Sequence, residues 1–158
     1  MREHSSAKPN PGELESEPSR EQKESARLEV GFASEAGKNH ERAGQENQDS
    51  LIMDKEHGIF VVADGMGGHF FGREAAQRAG QLFAEKVSEY VDKESPPDFL
   101  TRIMQEIDDD LRATEKWQEL PEKRPGTTLT GLVRLGDDWW SVHVGDSALF
   151  RLRDGELQ

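Results

Sequence analysis

The most informative segment of the chain reads Ile59-Phe60-Val61-Val62-Ala63-Asp64-Gly65-Met66-Gly67-Gly68-His69. Its first five residues are apolar or small and include two valines, a composition typical of a buried strand. The strand is predicted to end at Asp64. Because an unpaired carboxylate is costly to bury, we expect Asp64 to be hydrogen-bonded or bound to a cation. An ordinary Asp-Gly turn after a strand is the alternative interpretation.

Three glycines follow this aspartate closely, at positions 65, 67 and 68. Glycine leaves the backbone uncovered, so that carbonyl and N–H groups can approach a ligand closely. A carboxylate combined with backbone oxygens is a donor set that suits a hard cation. The segment therefore predicts either a cation site or a plain turn.

Composition limits the classes of partner. The 158 residues allow one domain with a modest core. With 20 basic and 32 acidic residues the formal net charge is −12, which argues against a nucleic-acid partner. The acidic excess is compatible with a site that gathers divalent cations, although solubility alone also explains it. The chain has no cysteine, which excludes disulfides, thiolate catalysis and cysteine-type zinc sites.

The sequence shows neither a membrane span nor a recognisable secretory signal. No apolar run approaches the roughly 18 residues of a membrane span, and the N-terminus lacks the apolar core of a secretory signal. A cytoplasmic protein without a membrane partner is therefore expected.

Residues 1–26 differ in composition from the rest of the chain. They contain four apolar residues, namely Met1, Ala7, Leu14 and Ala26, among many Glu, Ser and Pro. Such a segment buries too little surface to fold, which predicts a disordered acidic tail that is passive or regulatory. The folded domain is expected to occupy residues 27–158.

The apolar pattern of residues 27–158 alternates between strand and helix signals. The predicted elements are a half-buried strand at 28–32, a hairpin of 50–54 and 59–63, helices at 73–91 and 96–111, strands at 127–134, 139–144 and 148–153, and a hairpin turn at 154–155. Ser95 is the predicted N-cap of the second helix. This order indicates an α+β fold in which helices cover antiparallel sheet. The run Asp108-Asp109-Asp110 is interpreted as a solvated helix face, because consecutive helical residues point in different directions.

Three aspartates occupy comparable positions. Asp49 lies at the entry to a predicted strand, Asp64 at the exit of its hairpin partner, and Asp146 at a corner between two strands. If these strand ends meet, they form a carboxylate cage that suits Mg²⁺ or Mn²⁺ rather than zinc. Two such ions can clamp a phosphoryl group and ionise a water. Each aspartate alone is also explained as the cap of a turn.

Four short motifs extend this interpretation. Val62–His69 resembles the signature of metal-dependent protein phosphatases of type 2C in their bacterial form. Asn47-Gln48-Asp49-Ser50 resembles the upstream acidic motif of that family, and Val144-Gly145-Asp146-Ser147 resembles its later motif. Gly126-Thr127-Thr128 fits the strand before that corner. The motifs occur in the family's order.

The resemblance implies a partial α-β-β-α sandwich that hydrolyses phosphoserine and phosphothreonine in proteins by means of a metal-bound hydroxide. Asp64 would bridge two Mn²⁺ or Mg²⁺ ions, and the carbonyl of Gly65 would bind one of them. Asp49 would contact the metal cluster or its waters, and Asp146 would serve a third, weaker metal site. The implied partners are a phosphoprotein substrate and a serine/threonine kinase or its targets.

Three positions depart from the family pattern. Gln48 stands where glutamate is frequent. Gly44 stands where an arginine normally grips the substrate phosphate, which leaves Arg42 as the nearest candidate. Met66 stands where other members carry a histidine proposed as general acid, so His69 is the candidate for that role. Arg42 is equally explained as an exposed loop residue, and His69 as a loop histidine that packs or caps.

The resemblance covers about the first half of a phosphatase domain. This portion is expected to be inactive alone, because the family takes further metal aspartates from downstream motifs. The alternative function is a non-catalytic module that binds a phosphoprotein or kinase. A glycine-rich nucleotide-binding protein is disfavoured, because no Gly-Lys-Ser/Thr follows the loop.

Overall fold

The structure, a computed structural model, describes residues 28–35, 47–66, 70–114 and 125–158. The predicted tail at 1–26 lies outside these ranges and stays a prediction. The chain divides after Gly31, and the architecture below is that of the unit beginning at Phe32. The strand predicted at 28–32 is wrong, because residues 28–35 contain no helix or strand. Alternating apolar residues make a strand only where a neighbouring strand pairs with them, and no strand among the described residues does so.

Within the described residues the strands form one antiparallel sheet and one small hairpin. The strands are β1 (Asp49–Asp54), β2 (Ile59–Met66), β3 (Gly126–Thr127), β4 (Leu129–Leu135), β5 (Asp138–Val144), β6 (Leu152–Arg153) and β7 (Glu156–Leu157). The main sheet has the order β1-β2-β4-β5, with β3 also paired to β2, while β6 and β7 pair separately. The hairpin turn predicted at Asp154-Gly155 is confirmed, and both residues have the positive φ that such a turn requires.

Two long helices follow the first hairpin. Helix α1 (Phe70–Ser88) begins three residues before the predicted start, and α2 spans Pro96–Ala113. The Ser95 cap is confirmed, because its hydroxyl accepts the backbone N–H of Asp98 at 3.4 Å. Neither helix, nor any other in the described ranges, is long and apolar enough to cross a bilayer.

The core lies between the helices and one face of the sheet. Alternate residues of β2 and β4 point to this face and are buried against α1 and α2. Phe83 of α1 is fully buried and packs against Gly131, where a Cβ would lie 3.4 Å from the Phe83 ring and 3.1 Å from Val142. The opposite, outward face of the sheet carries exposed apolar side chains, including Val62 (47% exposed) and Leu132 (37% exposed).

Strand β2 is longer than predicted. It continues past Asp64 to Met66, because β3 pairs with Gly65 and Met66. Asp64 therefore lies within the strand on its exposed face, and not buried at a strand exit. The strand predicted at 127–134 is interrupted at Thr128, and of 148–153 only Leu152–Arg153 is a strand.

Ion pairs join the two helices. The guanidinium of Arg78 donates two hydrogen bonds to Asp110, at 2.9 and 2.8 Å. Lys86 donates to Glu106 at 2.5 Å, and Arg102 donates to the same carboxylate at 2.9 Å. Asp110 is thus paired, and the acidic run 108–110 belongs to the helix surface as predicted.

These ion pairs predict that the folded protein loses stability at acidic pH. Hydrogen bonds from Arg78 lower the pKa of Asp110 below its usual 3.8, and hydrogen bonds from Lys86 and Arg102 lower the pKa of Glu106 below its usual 4.5. Their contribution to stability is therefore fully present above about pH 4.5 and is lost as the pH falls through the lowered values. We expect urea-unfolding midpoints measured from pH 6 to pH 2.5 to fall less steeply for an Asp110→Asn, Glu106→Gln double variant. Parallel curves for the two proteins would contradict this expectation.

Candidate metal centre on the outward face of the sheet

The register of the first hairpin places Asp49 directly opposite Asp64. Side chains of such a pair lie on the same face, with Cβ atoms about 4.5–5.5 Å apart. Both aspartates are exposed on the outward face, away from the helices. Two like charges directly opposite each other destabilise a sheet, and a divalent cation bound between them would remove that repulsion. The pair therefore fits a hard cation in both donor chemistry and charge.

The backbone entering β1 is held by Asn47. Its side-chain oxygen accepts the N–H of Asp49 at 3.0 Å, and its amide nitrogen donates to the hydroxyl of Ser34 at 2.8 Å. The Nε atom of Arg73, in the first turn of α1, donates to the carbonyl of Asn47 at 2.9 Å. Helix α1 thus helps to fix the segment that presents Asp49.

The structure gives a packing reason for the glycine at position 65. A Cβ on Gly65 would lie 2.1 Å from the carbonyl oxygen of Gly72, so that the glycine is required by the close approach of α1. The N–H of Gly65 donates to the carbonyl of Gln48 at 3.3 Å. The side-chain oxygen of Gln48 in turn reaches Gly72, where a Cβ would lie 2.4 Å away from it. The start of α1 is therefore packed onto both strands of the hairpin beside the aspartate pair.

Asp146 lies in the corner after β5, and its side chain is exposed. Gly145 has a φ of +109°, a conformation that favours glycine. The hydroxyl of Ser147 is 2.9 Å from that of Thr128, whose backbone N–H donates to the carbonyl of Asp64. The corner is thereby connected to the strand that carries Asp64.

The predicted cage is only partly assembled. In the described ranges no three Asp, Glu or His side chains come close enough to hold a metal ion together. The structure places Asp49 opposite Asp64. The corner that carries Asp146 is connected to Asp64 through Thr128. Arg42 and His69 lie outside the described residues, and their assignments stay predictions, as does the carbonyl of Gly65 as a ligand.

Two residues of this region had no predicted role. Arg73 reaches back to Asn47 across the chain, and Thr128 bonds both Asp64 and Ser147. Neither contact has a local sequence signal, because each joins residues that are distant in the sequence.

Comparisons with known proteins point to one family. Residues 36–158 match the family profile described as "Protein phosphatase 2C". The serine/threonine protein phosphatase PstP of Mycobacterium tuberculosis is 33% identical over 113 residues, which are 70% of this chain and 21% of PstP. The chain thus spans about a fifth of the length of the curated relatives that it matches.

Solved structures agree with the sequence match. A crystal structure of M. tuberculosis PstP/Ppp superposes with a TM-score of 0.59 at 30% identity, over 72% of this chain and 46% of that one. The PstP catalytic domain in complex with two manganese ions also gives 0.59 at 30% identity, over 71% and 47%. Stp1 from Staphylococcus aureus shares the fold, with a TM-score of 0.60 at 19% identity over 84% and 55%.

Proposed function

Because the chain belongs to the protein phosphatase 2C family, we propose that it carries part of a centre that hydrolyses phosphoserine and phosphothreonine in proteins. The observation that carries the proposal is the cross-strand pair of Asp49 and Asp64 on the exposed face of the sheet. Oxygen donors of this kind suit Mn²⁺ or Mg²⁺. The manganese ions in the PstP catalytic domain support the choice of metal.

Each residue of the proposed centre has its own role in the hydrolysis. Asp49 and Asp64 hold the cations, the Gly65 carbonyl adds a neutral donor, and Asp146 serves a further site. When bound, the cations supply a water of lowered pKa and stabilise charge on the phosphoryl group. Arg42 binds the substrate phosphate, for which a guanidinium fork is well matched, and His69 donates a proton to the leaving serine or threonine oxygen. A cytoplasmic location and a kinase partner remain predictions.

Charge limits what the 158 residues can do by themselves. The three aspartates of the proposed centre carry three negative charges, whereas two divalent ions bring four positive charges. Affinity for hard cations depends on ligand number and charge. We therefore expect calorimetry to give a Kd for Mn²⁺ on the order of 10⁻³ M, the weak end of the range for hard-cation sites. We also expect negligible hydrolysis of p-nitrophenyl phosphate or a phosphothreonine peptide in millimolar manganese.

The same samples separate this proposal from the alternative of a non-catalytic phosphoprotein-binding module. A phosphothreonine peptide is expected to bind only when Mn²⁺ is present, and its unphosphorylated counterpart not at all. Tight phosphopeptide binding in EDTA would favour the non-catalytic module. Rapid metal-dependent turnover by the 158-residue chain would overturn the charge argument.

A further inference from the structure

Opposite Asp64, the side-chain hydroxyl of Thr128 takes the place of a backbone carbonyl as hydrogen-bond acceptor in the sheet. Thr128 lies at the break between β3 and β4 and is only 2% exposed. Its N–H donates to the carbonyl of Asp64 at 2.9 Å, as in an ordinary antiparallel pair. The N–H of Asp64, however, donates to the Thr128 hydroxyl at 3.0 Å, while the Thr128 carbonyl accepts from the hydroxyl of Thr127 at 2.8 Å. A side-chain oxygen thus holds the backbone of Asp64.

The same hydroxyl reaches the corner that carries Asp146. It accepts from the N–H of Asp64 and also forms a hydrogen bond with the hydroxyl of Ser147, 2.9 Å away, in which either hydroxyl can be the donor. The methyl group of Thr128 also lies against the corner, since a Cβ on Gly145 would be 2.6 Å from it. Thr128 is therefore in contact with both acidic segments, through a hydrogen bond on each side and through packing.

The corner is held from a second side by His143. Its Nε2 atom is 3.0 Å from the carbonyl of Gly145, and a carbonyl only accepts, so Nε2 carries the proton. In the neutral ring Nδ1 is then the acceptor, and the hydroxyl of Thr130 donates to it at 2.9 Å. With Gly145 fixed by this chain of bonds, the contact made by Thr128 sets where Asp146 lies relative to Asp64.

We infer that Thr128 is a positioning residue that fixes Asp64 and the Asp146 corner relative to each other, so that both carboxylates serve one group of cations. This inference rests on the proposed function. Partners that orient metal ligands typically contribute 10- to 100-fold in metal affinity. Loss of the Thr128 hydroxyl is expected to have an effect of that size on Mn²⁺ binding, without touching a metal ion itself.

Two substitutions at Thr128 separate the hydroxyl from the packing. Thr128→Val keeps the shape and removes both hydrogen bonds, whereas Thr128→Ser keeps the hydroxyl and removes the methyl group. In the 158-residue chain we expect Thr128→Val to weaken Mn²⁺ binding about 10- to 100-fold in calorimetry. Thr128→Ser is expected to stay within about threefold of the parent protein. Exchange of the Asp64 amide proton, followed by NMR without metal, is expected to accelerate at least about tenfold in Thr128→Val alone.

The possible outcomes distinguish the positioning role of Thr128 from the metal assignment of Asp64. If Asp64→Asn weakens Mn²⁺ binding and Thr128→Val does not, the positioning role is overturned and the proposed function stands. If neither variant changes Mn²⁺ binding, the metal assignment and the positioning role both fail. A loss of Mn²⁺ affinity in Thr128→Ser without a loss in Thr128→Val would show that packing, and not the hydroxyl, matters, and would overturn the inference. Unchanged exchange of the Asp64 amide in Thr128→Val would overturn it without any metal present.

Discussion

Replacing Asp64 with asparagine is expected to abolish measurable Mn²⁺ binding by the 158-residue chain while slightly raising its stability without metal. The substitution replaces one of two facing carboxylates with a neutral amide, which is a weaker ligand for a hard cation. We expect the affinity to fall by about 100-fold or more, since even a partner that merely orients a ligand contributes up to about that much. Relief of the repulsion from Asp49 is expected to stabilise the metal-free protein by about 0.2–1 kcal/mol.

The opposite signs of these two effects make the experiment specific. Calorimetry with MnCl₂ measures the first, and urea unfolding in EDTA measures the second. Asp109→Asn is the matched control, because it makes the same change of charge at an exposed position on α2. It should alter neither quantity beyond about 0.5 kcal/mol. Near-normal Mn²⁺ affinity in Asp64→Asn would contradict the metal assignment, and a loss of metal-free stability would contradict the charge repulsion.

The parts of the fold with local signals were predictable from the sequence. Ser95 caps α2 because its hydroxyl meets an N–H three residues later, and the Asp154-Gly155 turn needs only two residues with positive φ. The extension of β2 was not predictable, because it depends on pairing with β3, about sixty residues away in the chain. Glycine-rich composition at Gly65 argues for a turn, and the sheet overrides it.

In the candidate site, too, some contacts were predictable from the sequence and others were not. The pairing of Asp49 with Asp64 follows from the hairpin register, which a short turn and two strands determine. The position of Asp146 depends on a long-range contact through Thr128, and no spacing in the sequence reveals it. The three acids were identified from their positions at predicted strand ends and from the family motifs, whereas the contacts of their supporting residues, Arg73 and Thr128, are visible only in the structure.

Replacing Gly65 with alanine is expected to destabilise the protein and, through the displaced hairpin, to weaken metal binding. The new Cβ would lie 2.1 Å from the carbonyl oxygen of Gly72 and 2.9 Å from that of Gln48. Neither backbone group can move like the end of a flexible side chain, so α1 must separate from the hairpin. Inserting a carbon into such a packed contact costs about 1–3 kcal/mol or more, and we expect the upper end of that range.

Gly31→Ala is the matched control for this substitution, because a Cβ there meets nothing within 4 Å and the residue does not have a positive φ. Urea unfolding should show a change of at most about 0.5 kcal/mol for Gly31→Ala and about 3 kcal/mol for Gly65→Ala. If residue 65 lacks a side chain only to let a ligand approach, Gly65→Ala would lose Mn²⁺ affinity at unchanged stability in EDTA. If it lacks one because α1 packs onto it, stability in EDTA falls as well, and urea unfolding without metal therefore distinguishes the two explanations.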